Sequence, residues 1–260
     1  MAGYKIPIFE KGMVLTDEML ESLKAYLADW SRLEYAGYSD GILSGCRVTV
    51  SGNMLYVGKG IVLYKGRMYL LAADTPLAVE PCDAWQKVIL RMGSVCRTGG
   101  FELGELWIEM TTETDGLLNC LEVCRFRLQQ GAALRNLYTG FADMDTEYDT
   151  INELYAQWAG YGEMTLSHNI LNQFAARMTE TGIGDPLDAS FVMQIMGSGN
   201  KALPRNVIQT YLSARLQMPY NGCSNRELYE GLAEIVHKGR NTKPHGRERA
   251  QETEKRILVD

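Results

Sequence analysis

The chain has 260 residues, near the size of about 250–300 at which one hydrophobic core stops growing, so two domains is the default reading. Hydrophobic residues make up 46% and charged residues 22%, as in an ordinary globular protein with ample material for a core. A net charge of −6 excludes a global electrostatic pull toward nucleic acid or anionic lipid.

Residues 1–10 include Lys5 and Glu10 and no continuous apolar run, so no secretory signal is expected. No stretch approaches 18 apolar residues, so no membrane span is expected either. The first predicted element is a helix over 16–34. Thr16 is its N-cap, and Asp17 and Glu18 suit the positive end of the helix dipole. Leu20, Leu23, Leu27 and Trp30 recur at three- and four-residue spacing and form one apolar stripe. The turn-forming run Tyr38-Ser-Asp-Gly41 follows, closing an N-terminal segment at 1–41.

From 42 to 128 the pattern is β. Short strands are predicted around Val48–Val50, Met54–Val57, Ile61–Tyr64, Met68–Leu71, Lys87–Met92, Glu105–Thr112 and Leu121–Leu128. Ser51-Gly52-Asn53 and Lys65-Gly66 supply turns, the second fitting a two-residue hairpin loop. Leu106, Ile108 and Met110 alternate with charged or aromatic residues, the mark of a sheet with one wet face. The expectation is a small antiparallel sandwich or barrel.

A connector at 129–145 leads to a helical region at 146–239. Thr150-Ile-Asn-Glu153 has the form of a capping box, with Ile151, Leu154, Tyr155 and Trp158 on one face of a first helix. Leu166, Ile170, Phe174 and Met178 mark a second. Asp185-Pro186 opens a third, with Leu187, Phe191 and Ile195 inward. Pro204 starts a fourth, carrying Val207, Ile208, Tyr211 and Leu212. A second capping box, Ser224-Asn-Arg-Glu227, precedes Leu228, Leu232, Ile235 and Val236, and Gly239 is read as the stop. The fold class is therefore α+β: an N-terminal helix, a small β-domain, and a C-terminal all-α bundle of five short helices. The remainder, 240–260, is a charged tail. From Lys238 onward it holds seven Lys or Arg against four Asp or Glu, read as a solvated tail and not a binding arm.

Chemistry-bearing patterns are sparse. The cysteines are Cys46, Cys82, Cys96, Cys120, Cys124 and Cys223, and free thiols are expected. Cys120 and Cys124 fall on one face of a predicted strand, but no second Cys/His pair accompanies them, so no metal site follows. His168 and His237 lie near helix ends, and His245 lies in the tail; none has a partner motif. Met196-Gly-Ser-Gly-Asn-Lys201 lacks the P-loop spacing and reads as an interhelical loop. Asp143, Asp145, Glu147 and Asp149 lack the EF-hand spacing, and a position ahead of a helix explains them without a cation. No catalytic, cofactor-binding or metal-binding residue is assigned, and no enzymatic activity.

Three runs carry a family resemblance: Lys11-Gly-Met-Val-Leu-Thr-Asp-Glu-Met-Leu20, Tyr35-Ala-Gly-Tyr-Ser-Asp-Gly-Ile-Leu-Ser-Gly45, and Val57-Gly-Lys-Gly-Ile-Val-Leu-Tyr-Lys-Gly-Arg-Met-Tyr69. They resemble the N-terminal halves of structural proteins in the tail modules of phages and prophages of Gram-positive bacteria, of the tail-tip, baseplate or fibre-adaptor type. The likeness spans about residues 5–75. It implies a virion protein made in the bacterial cytoplasm and built into a phage-like particle. Its partners would be other tail, baseplate or fibre proteins, and it would be a homo-oligomer within the assembly. The candidate interface is Leu20, Leu23, Leu27 and Trp30 on the first helix, with Tyr35 and Tyr38 beside it, since exposed apolar stripes and tyrosines favour protein contacts. An alternative is a glycan- or surface-binding module that uses Trp85 or Trp107 of the β-domain as stacking platforms.

Overall fold

A computed structural model describes residues 5–113, 118–199 and 201–241, and the fold is α+β. Helix α1 spans Asp17–Glu34, and the Thr16 hydroxyl accepts a hydrogen bond from the Met19 amide at 3.3 Å. Nine strands follow, in three antiparallel sheets of three. The first contains β1 (Gly41–Gly45), β4 (Gly60–Tyr64) and β5 (Arg67–Leu71), in the order β1-β4-β5. The second contains β2 (Val48–Ser51), β3 (Met54–Val57) and β6 (Thr75–Ala78), in the order β2-β3-β6. The third contains β7 (Cys82–Thr98), β8 (Phe101–Thr111) and β9 (Cys120–Leu128), in the order β8-β7-β9.

Lys65 and Gly66 both take positive φ, as the two-residue loop between β4 and β5 requires. All three sheets feed one core. Ile42 and Val62 come from the first sheet, Leu55 from the second, and Val88, Leu90 and Phe126 from the third. Leu106, Ile108 and Met110 of β8 pack on its margin. Cys120 and Cys124 do not share a face. Cys124 opposes Val88 and Glu122 opposes Ile89, so Val123 is an extra residue and the bulge turns Cys124 into the core while Cys120 stays half-buried. Burial raises the Cys46 thiol to about 12 and the Cys124 thiol well above its ordinary value, which makes both inert hydrophobes.

The C-terminal region has four helices: α2 (His168–Thr181), α3 (Pro186–Gly197), α4 (Arg205–Leu216) and α5 (Asn225–Asn241). The side chain of Asp185 caps α3 by accepting from the Leu187 amide at 2.8 Å. Ser224 and Glu227 satisfy each other reciprocally at the start of α5, which runs past Gly239. Phe174 is fully buried at the centre of the helical core, edge-on to Phe141, Phe191 and Tyr211. The tail beyond Asn241, with His245, lies outside the described residues.

The helix expected at Thr150–Trp158 is absent. This segment is extended and forms isolated bridges, Arg125 with Asn152 and Ile42 with Trp158. The burial pattern gives the reason: Leu154, Ala156 and Trp158 are buried and alternate with exposed Tyr155 and half-buried Gln157, a period of two. Glu153 does not close a capping box with Thr150. Its carboxylate accepts from the Ser167 hydroxyl at 2.5 Å and from Asn169 Nδ2 at 3.0 Å, where it braces the start of α2. Desolvation raises its pKa, although part of the residue still meets solvent. The strap joins the two cores: Ile151, Ala156 and Trp158 enter the β core, and Leu154 enters the helical one.

Candidate docking surface

Helix α1 contains no buried residue. Leu20, Leu23, Leu27 and Trp30 are 50%, 36%, 58% and 57% exposed, and Tyr26 and Leu33 extend the same apolar surface. The charged residues Asp17, Glu18, Glu21, Lys24, Asp29 and Arg32 interleave elsewhere around the helix. An 18-residue helix that buries none of its apolar stripe draws little stability from its own propensity. An exposed apolar stripe of this kind is a surface on which another molecule can dock.

The foot of α1 is fixed. Tyr35 and Tyr38 are half-buried and meet edge to face at 5.4 Å, and Tyr38 meets Tyr161 at 6.1 Å. The Ser39 amide donates to the Gly160 carbonyl at 2.9 Å, and the Gly162 amide donates to the Gly37 carbonyl at 2.7 Å. Lys201 Nζ pairs with Glu34 at 3.1 Å and lies over the Tyr35 ring. The structure thus divides the sequence-predicted residues into two sets. Leu20, Leu23, Leu27 and Trp30 form a free helical face, and Tyr35 and Tyr38 form the socket that holds its base.

The motif Asp40-Gly-Ile-Leu-Ser-Gly45 is a seam. Asp40 accepts from the Lys65 amide at 2.7 Å. A Cβ on Gly41 would lie 2.5 Å from the Ala159 amide nitrogen, so only glycine lets β1 meet the strap. The Gly60 position of the third run is similar, with the Cys46 amide nitrogen 2.6 Å from any added Cβ. These small motifs are explained by backbone packing.

Two of the acidic residues ahead of the strap, Asp143 and Asp145, are paired with arginines. Asp143 receives both Arg135 nitrogens at 2.6 and 2.7 Å, which holds its carboxyl well below the usual range. Asp145 receives Arg226 at 2.9 and 3.2 Å, while Asp149 accepts from the Gln129 amide at 3.2 Å. Their expected place before a helix is corrected along with that helix. Among the described residues no cluster of three or more His, Cys, Asp or Glu is arranged to hold a metal ion. His168 opens α2, with Nδ1 buried and unpartnered, and desolvation lowers its pKa. Trp85 is half-buried, while Trp107 is 41% exposed and donates its indole N–H to Glu109 at 3.1 Å. Trp107 opposes Arg91, six residues along β7 from Trp85, so their backbone positions lie about 20 Å apart along the strand.

No protein-family model matches the chain, and no curated protein matches it. Among solved structures it is similar to baseplate proteins of the type VI secretion system. The crystal structure of TssK aligns over 92% of this chain and 73% of that chain, at 11% identity and a TM-score of 0.39. A chain of the TssK-TssF-TssG baseplate subcomplex aligns over 91% of this chain and 100% of that one, at 10% identity and a TM-score of 0.36. A chain of the type VI secretion baseplate complex aligns over 92% and 99%, at 9% identity and a TM-score of 0.37. No helix among the described residues is long and apolar enough to cross a membrane.

Proposed function

We propose that this chain is a non-enzymatic structural component of a phage-like tail or baseplate, docked to neighbouring subunits or fibres through the apolar face of α1. The observation that carries the docking role is a fixed helix with a free face: Leu20, Leu23, Leu27 and Trp30 are all exposed, while the helix base is anchored by Tyr35, Tyr38 and Glu34. Support for the particle type comes from the N-terminal sequence runs alone. In this reading the protein is made in the bacterial cytoplasm, enters the particle as repeated copies, and needs no cofactor.

The test is the double substitution Leu23→Asp with Leu27→Asp in producing cells. Because neither side chain is in a core, the variant stays folded, with an unchanged circular dichroism melt. It is expected to vanish from the sedimenting particle fraction while it accumulates in the supernatant. Incorporation at the normal stoichiometry would remove α1 from the docking role. Absence of the unmodified chain from such particles would remove the role itself.

A further inference from the structure

A second apolar surface lies far along the sequence from α1. β7 and β8 continue beyond Met92 and Leu106 as a two-stranded ribbon, and residues 94–105 are all exposed. Phe101 and Leu103 on this ribbon are 70% and 45% exposed. β8 is an edge strand, paired with β7 alone. β5 is also an edge strand and runs beside it in the same direction: Arg67 reaches Glu102, and a Cβ on Gly104 would touch the Tyr69 ring. Between them is an open groove of about 600 Å³, lined by Arg67, Leu70, Val95, Glu102 and Glu105 among others. An open strand edge beside apolar side chains is a template for another strand.

The chain carries a segment suited to that edge. Ahead of α1, Lys5-Ile-Pro-Ile-Phe-Glu10 is without regular structure, and Ile6, Ile8 and Phe9 are exposed. The exposed Lys5–Glu18 ion pair ties it to α1, and Pro7 is half-buried. Pro7 lacks an N–H, so as a strand the segment can serve only at an edge, paired on one side.

We infer that the Lys5–Glu10 arm of one copy adds antiparallel to the free edge of β8 in a second copy. Charge selects the register. Placing Lys5 opposite Glu105 also sets Pro7 against Leu103 and Phe9 against Phe101, and brings Glu10 to the end of the ribbon where Arg97 and Arg67 surround Glu102. Both ends of the arm then meet opposite charge, and Pro7 and Phe9 meet apolar side chains, while Ile6 and Ile8 lie opposite Gly104 and Glu102 on the other face. Among the described residues Glu105 has no ion-pair partner, which leaves it available. The contact is heterologous, arm to ribbon, so copies link in a ring, in an open filament or, by mutual exchange of arms, in a reciprocal pair. It uses none of the α1 face residues and stands or falls apart from the docking role of that helix.

The full chain is used for the test, with Cys96→Ser to remove the exposed thiol on the ribbon. One tagged copy carries Phe9→Cys and an untagged copy carries Phe101→Cys, and the two are mixed under mild oxidation. The expected product is a disulfide between the tagged and untagged chains. Light scattering of unlinked protein follows association. Lys5→Glu and Glu105→Lys are each expected to weaken it at least tenfold, and together to restore it. Three results would overturn the inference: no mixed disulfide, a disulfide that forms only when both cysteines are in one chain, or association indifferent to both charge reversals.

Discussion

α1 and α2 have the same kind of sequence and opposite fates. Both carry apolar residues at three- and four-residue spacing, and both start at a hydroxyl N-cap, Thr16 and Ser167. α2 buries Ile170, Leu171, Phe174, Ala175 and Met178, whereas α1 buries nothing. An amphipathic stripe therefore states that a helix face needs covering and is silent on whether the cover is the same chain or another. The distinction lies in what surrounds the helix. α2 packs against α3 and α5, while α1 is anchored to the body at its foot, through Tyr35, Tyr38 and Glu34.

The sharpest way to break this comparison is to truncate one side chain on each helix. Phe174→Ala should cost about 3–5 kcal/mol, because a fully buried ring with three aromatic neighbours leaves a cavity that cannot close. Leu27→Ala should change the stability of the isolated chain by less than about 0.5 kcal/mol. Denaturant melts of both variants measure the contrast. A large loss for Leu27→Ala would mean that α1 is covered in solution, by its own chain or by a second copy.

A middle-sized effect probes the seam. Gly60→Ala should destabilise by about 1–3 kcal/mol, since the added methyl collides with the Cys46 backbone, and a thermal melt would register it. Little change would mean that β1 and β4 can separate without loss, contrary to the packing described.

The smallest effect is a change of slope with pH. The folded pKa of Glu153 lies above its ordinary 4.5, so its contribution is fully present below pH 4.5 and is lost as pH rises through the folded value. The folded pKa of Asp143 lies below its ordinary 3.8, so its contribution is present above pH 3.8 and is lost as pH falls through the folded value. Glu153→Gln should flatten the decline of stability above pH 4.5, and Asp143→Asn should flatten the decline below pH 3.8. Melts across pH 3 to 8 would separate the two, and unchanged slopes would remove both assignments.

Much of this architecture was legible in the residues. Thr16, Asp185 and the Ser224–Glu227 pair mark helix starts because capping is a local event between neighbours. The Lys65-Gly66 hairpin was legible for the same reason. Residues 150–158 are ambiguous in sequence because they satisfy two patterns together. Thr150 and Glu153 have capping-box spacing, and Ile151, Leu154 and Trp158 fit a helix, yet Leu154, Ala156 and Trp158 also fit a strand. What decided the outcome is remote: backbone partners at Ile42 and Arg125, and a carboxylate sent forward to Ser167. The exposed face of α1 was legible as a stripe, but its isolation was not. The β8 edge is not legible in the sequence because an open edge is a property of a completed sheet order and not of any run of residues.

The strap has a consequence for the order in which the chain matures on the ribosome. The Ile42 amide donates to the Gln157 carbonyl, and the Ala159 amide donates to the Ile42 carbonyl. The outer edge of β1 is therefore closed by residues synthesised more than a hundred positions later. The N-terminal half must wait, with an unfinished border, until translation has passed the strap and delivered the start of α2. A fragment ending near residue 145 would emerge with Ile42 and the Gly41 cleft uncovered, so dividing the chain at its apparent β-to-helix boundary would separate a sheet from its own closing seam.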